Sequence, residues 1–182
     1  MIVSFLHWFY CLRIWQVFLL VLLVLCVYLW LKKQYGESKY WKPAAGFLLL
    51  VAVIIVLYIT LGQRWEYAEA KKPNLIPLFS YYQVLYGGNP EIFRTNFMNI
   101  LMFFPLGLLA CEVYPKAWKH NTKLFLSVII FMMLSIAIEY LQYAFALGLA
   151  ETDDVIHNTL GAVLGGYTGR KLADLCSVSR AR

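Results

Sequence analysis

Glu139 lies inside an apolar run, residues 135–148, "SIAIEYLQYAFALG". Ser135, Glu139 and Gln142 are spaced i, i+4 and i+7, so on a helix they share one face. Asp154 and Asn158 repeat the i, i+4 spacing further on, and Asn96 and Asn99 form an i, i+3 pair. A carboxylate at bilayer depth costs about 2.5–3.5 kcal/mol, so it must face protein rather than lipid, and an acid placed there marks a candidate functional site. Carboxylates and amides gathered in this way could recognise a polar headgroup. Glu139 could also act as a general base on a lipid-linked substrate. Asp154, helped by Asp153 or Glu151 and by Asn158, offers the oxygen ligands that a divalent cation takes, which makes Asp153 and Asp154 the metal candidates. No Ser or Cys nucleophile is paired with a histidine. His7, His120 and His157 are scattered and form no H-E-x-x-H. Cys11, Cys26, Cys111 and Cys176 form no C-x-x-C pair and no disulfide framework. The catalytic residue is therefore unknown, with Glu139 as the candidate, and no cofactor is expected.

The elements that must position these residues are membrane spans. The chain has 182 residues, 62% of them hydrophobic and 14% charged, with a mean hydropathy of +0.65. Soluble domains are typically about 45–50% apolar and about 25% charged. Spans are expected over residues 14–31, 44–62, 96–112, 124–147 and 154–175, each near the ~20 residues that cross a bilayer core. The first, "IWQVFLLVLLVLCVYLWL", is longer than a signal-peptide apolar core and ends in Trp30, Leu31, Lys32 and Lys33, so it reads as a retained span behind an aromatic interfacial segment, "FLHWFY". The third carries Pro105, which is expected to kink it. In the fifth, Asp153 or Asp154 stands at the expected helix start as a cap, and Gly161, Gly165 and Gly169 continue the Asp154–Asn158 face as a small-xxx-small series for close helix packing.

Charge sets the orientation. Lys32, Lys33, Lys39 and Lys42, then Lys116, Lys119 and Lys123, then Arg170, Lys171, Arg180 and Arg182 all fall on one side. Only Arg13, Arg64, Lys71, Lys72 and Arg94 fall on the other. The richer side is cytoplasmic by the positive-inside rule, which puts the N-terminus out and the C-terminus in. The net charge of +6 is thus explained by topology, and nucleic acid is not an expected partner. This orientation brings Asn96, Asn99, Glu139, Gln142, Asp154 and Asn158 together at the outer side. Glu139 lies ~12 Å below the end of its span at 1.5 Å per residue. The 63–95 connection is too apolar for a solvated linker. It is expected to be irregular around Pro73 and Pro77, then a short surface helix, then a turn at Gly87-Gly88-Asn89-Pro90. Its Leu75, Ile76, Leu78, Phe79, Tyr81, Tyr82 and Tyr86 suit the membrane interface. Glu151 and Asp153 read as solvating the turn between the last two spans.

Four segments in order carry a resemblance: "NLIPLF" (74–79), "NFMNILMFFPLGLLA" (96–110), "SIAIEYLQYAFALG" (135–148) and "TDDVIHNTLGAVLGG" (152–166). Over about residues 58–170 the chain resembles the VanZ-like family, small polytopic bacterial membrane proteins linked to resistance to teicoplanin-type glycopeptide antibiotics. The resemblance maps the family's positions onto Asn74, Pro77, Asn99, Pro105, Gly107, Glu139, Gln142, Asp154, Asn158 and Gly161. It departs in two places. Many members carry an arginine after the fourth span, where this chain reads "LGLAETDD", and another before the N-L-x-P motif, where Lys71 and Lys72 stand. An acid left by the first difference would pair with Arg64, Lys71, Lys72 or Arg94, or with a ligand.

The expectation is an all-α polytopic membrane bundle of about five transmembrane helices in a bacterial cytoplasmic membrane. Residues 1–43 form an extra span with a basic loop, 44–175 the VanZ-like domain and 176–182 a basic tail. The expected binding pocket comprises Asn74, Asn96, Asn99, Glu139, Gln142, Asp154 and Asn158, with Gly107, Gly161, Gly165 and Gly169 packing helices. Its partners would be membrane lipid and a lipoglycopeptide or cell-wall precursor. The alternatives are an intramembrane enzyme on a lipid-linked envelope precursor, and a transporter or assembly partner.

Overall fold

A computed structural model of the chain describes residues 2–36, 38–62, 72–88, 90–115 and 117–180. Arg64 and Lys71, two of the cations considered for the acids, lie outside the described residues. The helices are α1 (Ile2–Tyr35), α2 (Trp41–Thr60), α3 (Phe79–Gly87), α4 (Pro90–Val113), α5 (His120–Ala144) and α6 (Thr152–Arg180). Among the described residues three of them, α2, α4 and α5, are long and apolar enough to cross a membrane by length and composition.

Local chemistry sets the ends. α1 runs on through the segment expected to lie apart as an aromatic flank, because no Gly or Pro interrupts it before Gly36. α2 opens at Trp41, with Pro43 in its first turn, where a missing N–H costs little. α4 opens at Pro90 rather than near residue 96, because proline is preorganised for the first helical position and the Arg94–Glu91 ion pair of 2.8 Å braces the first turn. The helix continues through Pro105 to Val113. α3 is the short surface helix expected from the sequence. It is entered through Leu78 in the left-handed region, φ 63°, and left through Gly88, φ 64°.

α4 is the central helix. Of its most apolar stretch, 61% is buried, against 22% and 28% for α2 and α5. Phe103, Leu106, Leu108 and Leu109 point into the core and meet Ile138 from α5 and Ala162 from α6. α6 packs beside α4 in parallel. A Cβ at Gly161 would collide with the carbonyl oxygen of Ile100, one at Gly165 with that of Phe104, and one at Gly107 with that of Ala162. The expected packing glycines thus sit where two helix backbones nearly touch, which lets dispersion act between main chains. Gly169, further along, leaves more room, 3.3 Å from the Leu108 carbonyl oxygen. α5 runs antiparallel to α6, with Ser135 meeting Asn158 near one end and Asn121 meeting Arg170 near the other. On α2 and α5 the outward residues are Phe47, Leu50, Ile54 and Tyr58, and Phe125, Ile129, Met133 and Tyr140, a surface suited to lipid.

At the pole that carries the basic segments, one buried cluster ties three helices. The Lys32 ammonium of α1 pairs with Glu112 of α4, Tyr28 donates to the same carboxylate at 2.9 Å, and Trp41 of α2 donates to its other oxygen at 2.9 Å. Lys32 counts toward topology in the sequence, yet its head turns inward to Glu112. An apolar groove of about 380 Å³ lies between α2, α4 and α5 toward this pole, lined by Leu49, Val53, Ala110, Phe131 and Leu134 among others.

Candidate functional site

The opposite pole gathers the C-terminal ends of α2 and α5, the N-terminal ends of α4 and α6, and all of α3. The 72–78 segment reaches it by a two-bond backbone pairing. Asn74 N–H donates to the Ala150 carbonyl at 2.9 Å, and Thr152 N–H donates to the Asn74 carbonyl at 3.1 Å. The Asn74 side chain adds a 3.3 Å bond to the Glu151 carboxylate. So the "NLIPLF" stretch and the acidic turn, 77 residues apart, lie edge to edge.

The next layer is built by carboxylates holding backbone. Glu139, buried on α5, accepts the Glu151 N–H at 3.0 Å and so fixes the turn before α6. Asp153 is 1% exposed and accepts the N–H groups of both Leu78 and Ser80. It therefore caps α3 from another helix, rather than solvating the turn as the sequence reading has it. The reason is α3 itself, whose own entry residue, Leu78, supplies no side-chain cap. With both oxygens of Asp153 bonded to main chain, its role is structural capping. Among the described residues no three His, Cys, Asp or Glu side chains converge to hold a metal.

Side chains close the layer. Asn96 donates to Ser80 Oγ at 3.0 Å, Asn158 donates to Ser135 Oγ at 2.8 Å, and Gln142 donates to the Thr60 carbonyl at 3.2 Å. His157 Nε2 is hydrogen-bonded to the Tyr81 hydroxyl at 2.9 Å, with the rings tilted at 5.6 Å between centroids. Glu139 and Asp154 each take part in a further interaction. Among the described residues of this pole four buried polar atoms have no hydrogen-bond partner: Asn99 Nδ2, Gln142 Oε1, His157 Nδ1 and Asn158 Oδ1. A buried polar atom left unpaired costs about 1–3 kcal/mol, and such atoms concentrate where a protein expects a water, an ion or a ligand.

The residues expected from the sequence, Asn74, Asn96, Asn99, Glu139, Gln142, Asp154 and Asn158, all lie at this pole. Of the cations considered for its acids, Arg94 is instead engaged by Glu91, and Lys72 is exposed. The contacts of Ser80, Tyr81 and His157 were not foreseen, and Asp153, expected as a cap of its own helix or a solvated turn residue, caps α3 instead. One signal was available, since Asp153 and His157 are spaced i, i+4 and share a face of α6.

The model of the VanZ/LLP1 family matches residues 17–170, a stretch that contains every residue of this pole. The chain belongs to the VanZ/LLP1 family. A curated relative, Protein VanZ of Enterococcus faecium, is 32% identical over 125 residues, which cover 66% of this chain and 73% of that protein. No solved structure matches the chain. The chain is thus a VanZ-like membrane protein. The family match begins within α1, upstream of the 44–175 stretch expected to be the VanZ-like domain.

Proposed function

We propose that this VanZ-like protein crosses the bacterial cytoplasmic membrane about five times, with its N-terminus out and C-terminus in. Its polar pole then faces outward and recognises a lipid headgroup, a sugar-lipid or a lipoglycopeptide. The phenotype of that recognition is reduced susceptibility to teicoplanin-type glycopeptides. The observation that carries the reading is the buried carboxylate–amide layer around Glu139, whose Asn99, Gln142 and Asn158 each retain an unpaired polar atom. Aromatic α3 beside it supports an interfacial setting, and the basic segments at the other pole support the orientation.

The test is teicoplanin susceptibility of a sensitive host expressing the protein. Glu139→Ala abolishes the resistance while membrane levels, followed by immunoblot, persist. Glu139→Gln keeps an acceptor for the Glu151 N–H and retains part of it. Undiminished resistance in Glu139→Ala would sink the reading.

A further inference from the structure

Among the described side chains His157 is the one imidazole at the polar pole, and its circumstances are unusual. It is 1% exposed, yet Nδ1 has no partner and Nε2 is held only by the hydroxyl of Tyr81. Tyr81 is 41% exposed and sits on a nine-residue helix whose outer face, Tyr82, Leu85 and Tyr86, is bare. Two further unpaired atoms belong to the same end of α6 and α4, Asn158 Oδ1 and Asn99 Nδ2. The packing register that sets Ile100 beside Gly161 puts Asn99 at the height of that turn of α6, while the Asn158 side chain faces Ser135 of α5.

The chemistry of this contact selects its ligand. A neutral imidazole has one donor and one acceptor, and which of them Nε2 carries depends on the tautomer. A hydroxyl group is donor and acceptor at once, so, like the Tyr81 hydroxyl, it meets Nε2 in either tautomer. A phosphate brings acceptors alone and a quaternary ammonium brings no donor, so neither replaces that hydroxyl in both tautomers. We propose that His157 binds an uncharged hydroxyl group of a lipid headgroup, and that the Tyr81 phenol is the internal stand-in which that hydroxyl displaces. This rests on the outward-facing recognition site proposed above and names the chemical class it takes. Two sources share the chemistry, a glycosyl headgroup and a glycerol headgroup.

The test uses the full chain, labelled with ¹⁵N-histidine, in phosphatidylcholine nanodiscs. Only three histidines are present, and His157→Gln assigns the signal. Nanodiscs are doped in turn with monoglucosyl diacylglycerol, phosphatidylglycerol or phosphatidic acid. The His157 imidazole signals shift with the glucosyl lipid, with phosphatidylglycerol, or with both, and the pattern identifies the source of the hydroxyl. In Tyr81→Phe the lipid fraction at half-shift falls about fivefold, because the competing hydrogen bond is gone. Signals unmoved by all three lipids overturn the proposal. So do signals moved by both phosphate lipids and not by the glucosyl lipid, and an unchanged half-point in Tyr81→Phe overturns the stand-in role. The two readings fail separately. Resistance lost in Glu139→Ala beside an unmoved His157 signal retires His157 and keeps the recognition site. A moved signal beside intact resistance does the reverse.

Discussion

Asp153 concentrates, in one side chain, the problem of folding a polar layer at a membrane edge. Leu78 is held at φ 63°, a left-handed conformation that costs an L-residue about 1–2 kcal/mol. The Asp153 carboxylate offsets this by accepting two main-chain N–H groups while almost fully buried. Hydrogen bonds to a charged acceptor contribute about 1.5–3 kcal/mol. Asp153→Ala therefore lowers unfolding stability in nanodiscs by about 2–3 kcal/mol, and the Leu78 and Ser80 amides lose protection from hydrogen exchange. Asp153→Asn falls between. An acid that merely solvated a turn would leave both measurements unchanged. Nothing local reveals the true role, because the partner amides lie 73 and 75 residues away in the chain.

At the scale of elements, the α4–α6 pair dominates. Gly165→Ala drives a methyl group into the Phe104 carbonyl and forces the backbones apart, a small-to-large change costing about 1–3 kcal/mol. Gly169→Ala meets the Leu108 carbonyl at 3.3 Å and is milder. Thermal unfolding of the two variants in the same detergent checks the order, and equal midpoints would contradict the tight end of the crossing. The glycine spacing was legible in the sequence, because a four-residue repeat of small residues is a direct signature of close approach. Which helix answers it was not, since periodicity identifies a face and not its neighbour. The Lys32–Glu112–Trp41 cluster was missed for a related reason. A lysine just past an apolar run reads as a topology signal, and its acid lies 80 residues away. The apolar runs of α2, α4 and α5 and the polar residues between them were legible, because lipid imposes its requirements on each span separately.

For the whole molecule, the prediction concerns sidedness. The basic segments and the Lys32–Glu112 cluster occupy one pole, and the carboxylate–amide layer the other. Thr152 begins α6 at the polar pole and is partly exposed. In a background freed of the native cysteines, Thr152→Cys reacts with a membrane-impermeant maleimide added to intact cells. Reaction only after lysis would invert the orientation and move the recognition site to the cytoplasm.

The parallel pairing of α4 with α6 also carries a consequence for biosynthesis. Two neighbours that run the same way need a complete return crossing between them, and here that crossing is α5. Translation delivers α4 well before the glycine face that fits it. During that interval the backbone at Ile100, Phe104 and Leu108 lacks the partner that α6 gives it in the fold. Assembly of the polar layer must wait for α6, because Asp153, His157 and Asn158 arrive with it. A ribosome that stalls inside α5 thus leaves a chain without the polar layer and without the basic segment at Arg170 and Lys171.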